Sequence, residues 1–331
     1  MIFSPSLSSA TILLLPLVLA AADKEPAPPP QITAEHYRVY RGDGSPASID
    51  DILARAASAN AVFLGENHDD PVAHHLEAEL FKKLAAAGPV QLAMEMFESD
   101  TQAVLDEYLA GLITEDQLIA AGRAWKNYKQ DYRPMVEFAK EKKLPVVAAN
   151  APRRYVNRVS RLGRASLDGL PDSAKQWLPP LPYAEPTDAY AAKFNKLREE
   201  AIPTRSASSD SAPKRDPKWG LDAQSLWDAS MAFSVAEALQ RRPGTPVVHV
   251  NGGFHTEQHM GIADHLRRYR PGVNILVVTM LSSKDFPAWN AEKHAGRGDF
   301  VIVTDEKLPR SYTPTIPTAT KTETKDNGKT K

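Results

Sequence analysis

No cysteine occurs among the 331 residues. That excludes disulfides, thiolate metal ligands, a cysteine nucleophile and acylation of a cysteine, and leaves stability to the hydrophobic core. A chain of this length can bury a core large enough. An excess of one charge is also missing: 40 Lys and Arg stand against 41 Asp and Glu, for a formal net charge of −1. A nucleic-acid partner, which asks for a concentrated basic surface, is therefore not expected. A local anion pocket is compatible with that balance. Long apolar runs are scarce, and the one at Ala10–Ala22 is short for a bilayer span and turns polar at Asp23 and Lys24. Ala20-Ala21-Ala22 offers small residues to a signal peptidase, so residues 1–22 are expected to be a signal peptide. The mature protein is then exported, periplasmic or secreted, without an integral membrane segment, and with no cysteine it is not a lipoprotein.

The rest of the chain divides by composition. Residues 23–34 hold Pro26 and Pro28-Pro29-Pro30 and read as an extended linker. Residues 309–331, rich in Thr, Lys and Pro, are expected to be a disordered tail, and 203–218 a mobile polar insert. Between them, 35–308 alternates short apolar runs with helical patterns. Candidate strands are 61–64, 90–94, 145–149, 247–250, 275–280 and 300–303, all continuous apolar runs suited to burial on both faces. Asp69-Asp70-Pro71 marks a helix start, and Ser99 with Gln102 and Thr114 with Gln117 match capping boxes. Strand and helix in repetition predict an α/β fold, a mainly parallel sheet flanked by helices.

In such a sheet, ligands meet the carboxyl ends of the strands. Four predicted strands run into Glu66-Asn67-His68, Glu95, Asn150 and Asn251-Gly252-Gly253-Phe254-His255. Parallel strands share that edge, so Glu66, His68, Glu95 and His255 are expected to converge. Glu95, between Ala93-Met94 and Met96-Phe97, should be partly buried and needs a partner, for which His68 or His255 is suited. The same four residues form a candidate shell for a first-row divalent metal. Asn150, Pro152, Arg153 and Arg154 predict a capped helix start able to hold a carboxylate or phosphate. His74 and His75, at helical spacing from Glu79, read as a solvated face before a metal site. Tyr108, spaced to Val104 and Leu105, reads as packing.

Five segments carry a family resemblance: Leu64–Asp69, Met94–Phe97, Asp131-Tyr132-Arg133-Pro134, Ala149–Tyr155 and Asn251–His255. In this order the chain, from about Tyr40 to Thr279, resembles the ChaN family of haem-binding uptake proteins. The resemblance implies the fold of the Tiki, TraB and erythromycin-esterase-like group, export, and a role in bacterial iron or haem acquisition. It implies haem as cofactor, enclosed by a homodimer, with a tyrosine on the iron and basic or imidazole groups at the propionates. Tyrosinate suits ferric haem. Tyr108 is the first choice for that role, then Tyr132 and Tyr128, with Asn150, Arg153 and Arg154 toward the anionic groups. The ligand is therefore haem or another small anion. The competing expectation is a hydrolase of ester or peptide bonds. There Glu66 or His68 activates water and Glu95 and His255 complete a proton relay or metal shell.

Overall fold

The computed structural model describes residues 31–201 and 216–311. The proposed signal peptide and most of the linker, insert and tail lie outside the described residues. The described ends of those segments are engaged. Thr33 caps a 3-10 turn at Ala34–His36, and Asp216 caps a helix that begins at Pro217. Ser311 donates its N–H to the Asp69 carbonyl at 3.0 Å and its hydroxyl to Asp131 at 2.9 Å.

In chain order the elements are β1 (Tyr37–Arg41), β2 (Pro46–Ala47), α1 (Ile49–Ala56), β3 (Ala61–Glu66), α2 (Pro71–Ala87), β4 (Gln91–Glu98), α3 (Gln102–Leu109) and α4 (Glu115–Ala121). Then come α5 (Arg133–Lys142), β5 (Val146–Asn150), α6 (Arg153–Leu162), α7 (Asp172–Lys175), α8 (Asp188–Ala201) and α9 (Pro217–Arg241). The chain continues with β6 (Val247–Gly252), α10 (Ile262–Tyr269), β7 (Ile275–Ser283), α11 (Ala291–His294) and β8 (Phe300–Asp305). One sheet runs β2-β1-β8-β7-β3-β6-β4-β5. From β8 to β5 every pairing is parallel, while β1 is antiparallel to β2 and β8.

The six apolar runs are the six parallel strands. Their side chains alternate between two layers. Val62, Leu64, Leu92, Met94, Val248, Val250 and Leu276 pack with α2 and α5 residues such as Leu76, Leu80, Phe81 and Met135. Ala61, Phe63, Ala93, Val247, Ile275 and Val277 pack with Met231, Val235, Ile262 and Leu266 of α9 and α10. Burial on both faces is what gives these strands their unbroken apolar sequence.

Two start signals act as expected: Asp70 caps α2 ahead of Pro71, and Thr114 and Gln117 form a reciprocal box on α4. Ser99 and Gln102 do something else. Ser99 donates to the Trp177 carbonyl, while Gln102 donates to the Val146 carbonyl at 2.9 Å and accepts from Ala148 N–H at 2.7 Å. The amide of Gln102 thus stands in for a neighbouring strand along the outer edge of β5, closing an edge that would otherwise be open for pairing.

Candidate functional site

The crevice originates where β4 parts from its neighbours. Pairing with β6 ends at Met94↔Val250, and pairing with β5 stops at Met94↔Ala148 and resumes shifted at Glu98↔Asn150. Glu95 falls in this splayed stretch, and β6 lies between β3 and β4. The carboxyl ends of β3, β6 and β4 therefore bring Glu66, His255 and Glu95 to one rim. All three are buried, and His68 is half-exposed beside them.

Glu66 accepts from Tyr132 Oη at 2.7 Å and His68 Nδ1 at 2.8 Å through Oε1, and its Oε2 lies 2.8 Å from His74 Nδ1. Burial favours the protonated acid, but the charge of His74, and the hydrogen bond and charge of His68, outweigh it and hold Glu66 well below the usual carboxylate range. Burial also works against a charged His68; the hydrogen bond it donates to Glu66 and the charges of Glu95 and Glu66 outweigh it and push the imidazole up to about 9. Glycine at 252 is what admits this ring, because a Cβ there would lie 2.8 Å from His68 Nε2.

Glu95 accepts from Gly252 N–H at 2.7 Å through Oε2 and presents Oε1 3.7 Å from His255 Nε2. His255 Nδ1 is 2.6 Å from Asp228 Oδ1. Burial opposes the imidazolium, yet Glu95 and Asp228 raise the His255 pKa. Asp228 was not among the sequence candidates. Its signal was weak but readable: an acid inside an otherwise apolar and small-residue run on α9, Leu226-Trp227-Asp228-Ala229-Ser230-Met231, has to find a partner.

The four crevice residues come as two pairs, Glu66 with His68 and Glu95 with His255. Among the described residues, the group of three ligand atoms lying within 4.8 Å of one another is instead Glu66, His74 and Glu77. His74 therefore does not face solvent with Glu79 as the helical spacing suggested. It is buried, while His75 is exposed. Asn150 does not cap α6, whose N-cap is Pro152 without a side-chain bond. Its amide donates to the Glu95 carbonyl at 3.0 Å and accepts from Ala151 N–H at 2.9 Å, tying the end of β5 to the splayed part of β4.

Beside the crevice is a cleft of about 760 Å³ lined by Arg123, Trp125, Lys126, Arg153 and Arg154 with Glu98, Asn127 and Asn157. Trp125 meets His68 edge-on at 4.9 Å and Tyr132 at 6.0 Å, so cleft and crevice adjoin. Arg123 is paired with Glu98 and Asp100, and Arg154 with Asp100. Among the described residues Arg153 and Lys126 form no ion pair, and both are exposed. The three candidate tyrosines are buried and none lines this cleft. Tyr108 donates to Glu137 beneath the Lys140 ammonium, Tyr128 packs on Phe97, and Tyr132 donates to Glu66. Burial, aided by nearby carboxylates, raises the pKa of each phenol.

A family model for haem-binding uptake proteins of the Tiki superfamily, ChaN, matches residues 52–266. The chain belongs to that family. Among solved structures, a ChaN of Campylobacter jejuni showing cofacial haem binding is similar over 83% of this chain and 100% of its own, at 18% identity and a TM-score of 0.60. That likeness bears on the fold. An erythromycin esterase, EreC, aligns over 81% of this chain and 83% of its own at 12% identity, with a TM-score of 0.44. The type III effector HopBA1 aligns over 82% and 98% at 13% identity, also with a TM-score of 0.44. Curated protein sequences give no match. The ChaN family and a parallel sheet flanked by helices agree with what the five sequence segments implied. No helix among the described residues is long and apolar enough to cross a membrane.

Proposed function

We propose that this protein is an exported haem-binding protein of bacterial haem or iron acquisition, and that haem lies in the cleft on Trp125. Membership of the haem-binding uptake family supports the ligand. The observation that carries its placement is the pairing of an aromatic wall with two unpaired cations, Arg153 and Lys126, beside the His68 crevice. The porphyrin is a flat apolar disc with two carboxylates, and this lining matches both parts. A volume near 760 Å³ is within the range of about 300–1,000 Å³ usual for such ligands. Of the three buried tyrosines, Tyr132 is the one in contact with both Glu66 and Trp125, so it is our choice of iron ligand, reached when the phenol leaves Glu66 and turns into the cleft.

Haem titrated into the purified protein is expected to shift its Soret band with one-to-one saturation. Tyr132→Phe should alter the spectrum, whereas Tyr108→Phe and Tyr128→Phe should leave it unchanged. An unshifted band with the wild-type protein would remove the proposal.

The Asp228–His255–Glu95 array supports a second reading, hydrolysis of an ester or peptide bond in the crevice. Asp228 orients the imidazole, and Nε2 faces the carboxylate that would take a proton from water. His68, bonded to Glu66 and protonated, would stabilise developing negative charge rather than act as base. On this reading an ester panel reveals activity that Glu95→Gln lowers by about 10²–10⁴-fold. A panel without turnover, or equal turnover in the variant, excludes it.

A further inference from the structure

We infer that Glu66, His74 and Glu77 form a buried binding site for one divalent first-row metal ion, which shares Glu66 with the crevice but lies on its inner side. His74 and Glu77 are one turn apart on α2, and both point to the carboxyl end of β3. His74 Nδ1 lies 2.8 Å from Glu66 Oε2 and 3.3 Å from Glu77 Oε2. Tetrahedral coordination at ordinary Zn–N and Zn–O lengths separates neighbouring donors by about 3.3 Å. A small opening of the Glu66 contact would seat an ion among the three.

Two further observations point to a ligand there. Glu66 Oε2 and Glu77 Oε1 are fully enclosed and have no hydrogen-bond partner, the Glu66 oxygen being out of line with His74 despite its proximity. Buried carboxylate oxygens left in this state ask for a proton, a water or an ion. The second is the far side of the imidazole. Nε2 lies 3.3 Å from the His68 carbonyl and 3.5 Å from Asp131 Oδ2, both acceptors. A hydrogen on Nε2 satisfies them and leaves the Nδ1 lone pair facing Glu66 and Glu77. An imidazole fixed by acceptors behind it, with its other nitrogen among carboxylates, is the arrangement that metal-bound histidines adopt. Asp131 is held in turn by Asn127 at 2.7 Å and Ser311 at 2.9 Å. One imidazole and two carboxylates suit Zn²⁺ or Mn²⁺. Enclosure on all sides implies that the ion enters as the chain folds. Because Glu66 Oε1 also accepts from His68, the ion would anchor the residue that orients the half-exposed imidazole of the crevice.

The test is elemental analysis of protein folded with Zn²⁺ or Mn²⁺ and passed through gel filtration. About one equivalent per chain should remain, and either ion should raise the melting temperature of chelator-treated protein. Glu77→Gln keeps the shape of a protonated carboxyl, and is expected to fold but to weaken metal retention by roughly 100-fold. His255→Asn should keep the equivalent. A folded wild-type protein that holds no ion and does not respond to Zn²⁺ or Mn²⁺ overturns the assignment, as does loss of the ion with His255→Asn but not with Glu77→Gln. Should Glu77→Gln not fold, the cobalt-loaded wild-type decides: a visible ligand-field spectrum displaced by Zn²⁺ supports the site, and its absence refutes it.

Discussion

Glu66→Leu is expected to destabilise the protein by about 3–5 kcal/mol, the cost of removing one partner from a buried ion pair. In metal-free protein Glu66 accepts from Tyr132 and His68, which have no other side-chain acceptor among the described residues, and its second oxygen faces His74 at 2.8 Å. Leucine fills much of the volume but leaves a phenol and two imidazoles facing hydrocarbon. Urea melts at several pH values provide the measurement, and their pH dependence carries the more specific expectation. Glu66 has a folded-state pKa below its unfolded value, so its contribution is present above about pH 4.5 and is lost as pH falls. His68, pushed up to about 9, contributes fully below its unfolded pKa of about 6.5 and loses that contribution as pH climbs through 9. Burial and then the charge of Glu66 push Glu77 up to about 8, so it lowers stability as pH rises from about 4.5, its unfolded pKa, to 8. The wild-type profile should therefore peak at about pH 4.5, and Glu66→Leu should flatten both limbs. A loss under about 1 kcal/mol with unchanged limbs would show that Glu66 does not anchor the cluster.

Reversing the two unpaired cations of the cleft, Lys126→Glu with Arg153→Glu, is expected to weaken haem binding by about 10–100-fold. A charge-assisted contact to a propionate contributes about 1.5–3 kcal/mol when shielded and less when exposed, and about 1.4 kcal/mol is a factor of ten. Both side chains are exposed, so the lower end applies to each, and reversal adds repulsion. The effect should shrink as salt rises. Lys142→Glu with Arg241→Glu makes the same change in net charge at residues outside the cleft, and should leave affinity unchanged. Equal weakening by the two pairs would mean that overall charge, not this cleft, governs binding. Neither residue packs in the core, so stability should be unaffected, which separates this result from that at Glu66.

The parts legible in the sequence were those that physics writes locally. Strands buried on both faces must be apolar throughout, and six were readable for that reason. β1 and β2 were not, because Tyr37–Arg41 is charged and only Val39 of it is buried. The convergence of Glu66, Glu95 and His255 followed from strand direction alone. What direction does not give is pairing across the fold. Gln102 looked like a helix cap because its spacing from Ser99 is right, yet its amide is drawn to the open edge of β5. Asn150 looked like a cap and instead bridges two strands. The inward face of His74 depends on α2 rolling that side onto β3, and Asp228 reaches His255 from a helix 27 residues away in sequence.

The strand order has a consequence for when this protein becomes competent. β6 is inserted between β3 and β4, so its residues reach their place only after some 150 residues of intervening chain have been accommodated. Contacts of such long sequence separation are the slow ones to close. His255 and the Gly252 amide arrive with β6, so a nascent chain stopped short of Val247 has α1 to α9 and the cations of the cleft but no completed crevice. Closure of the Glu95–His255 pair is thereby reserved for a chain synthesised past β6, whereas every residue lining the neighbouring cleft precedes it.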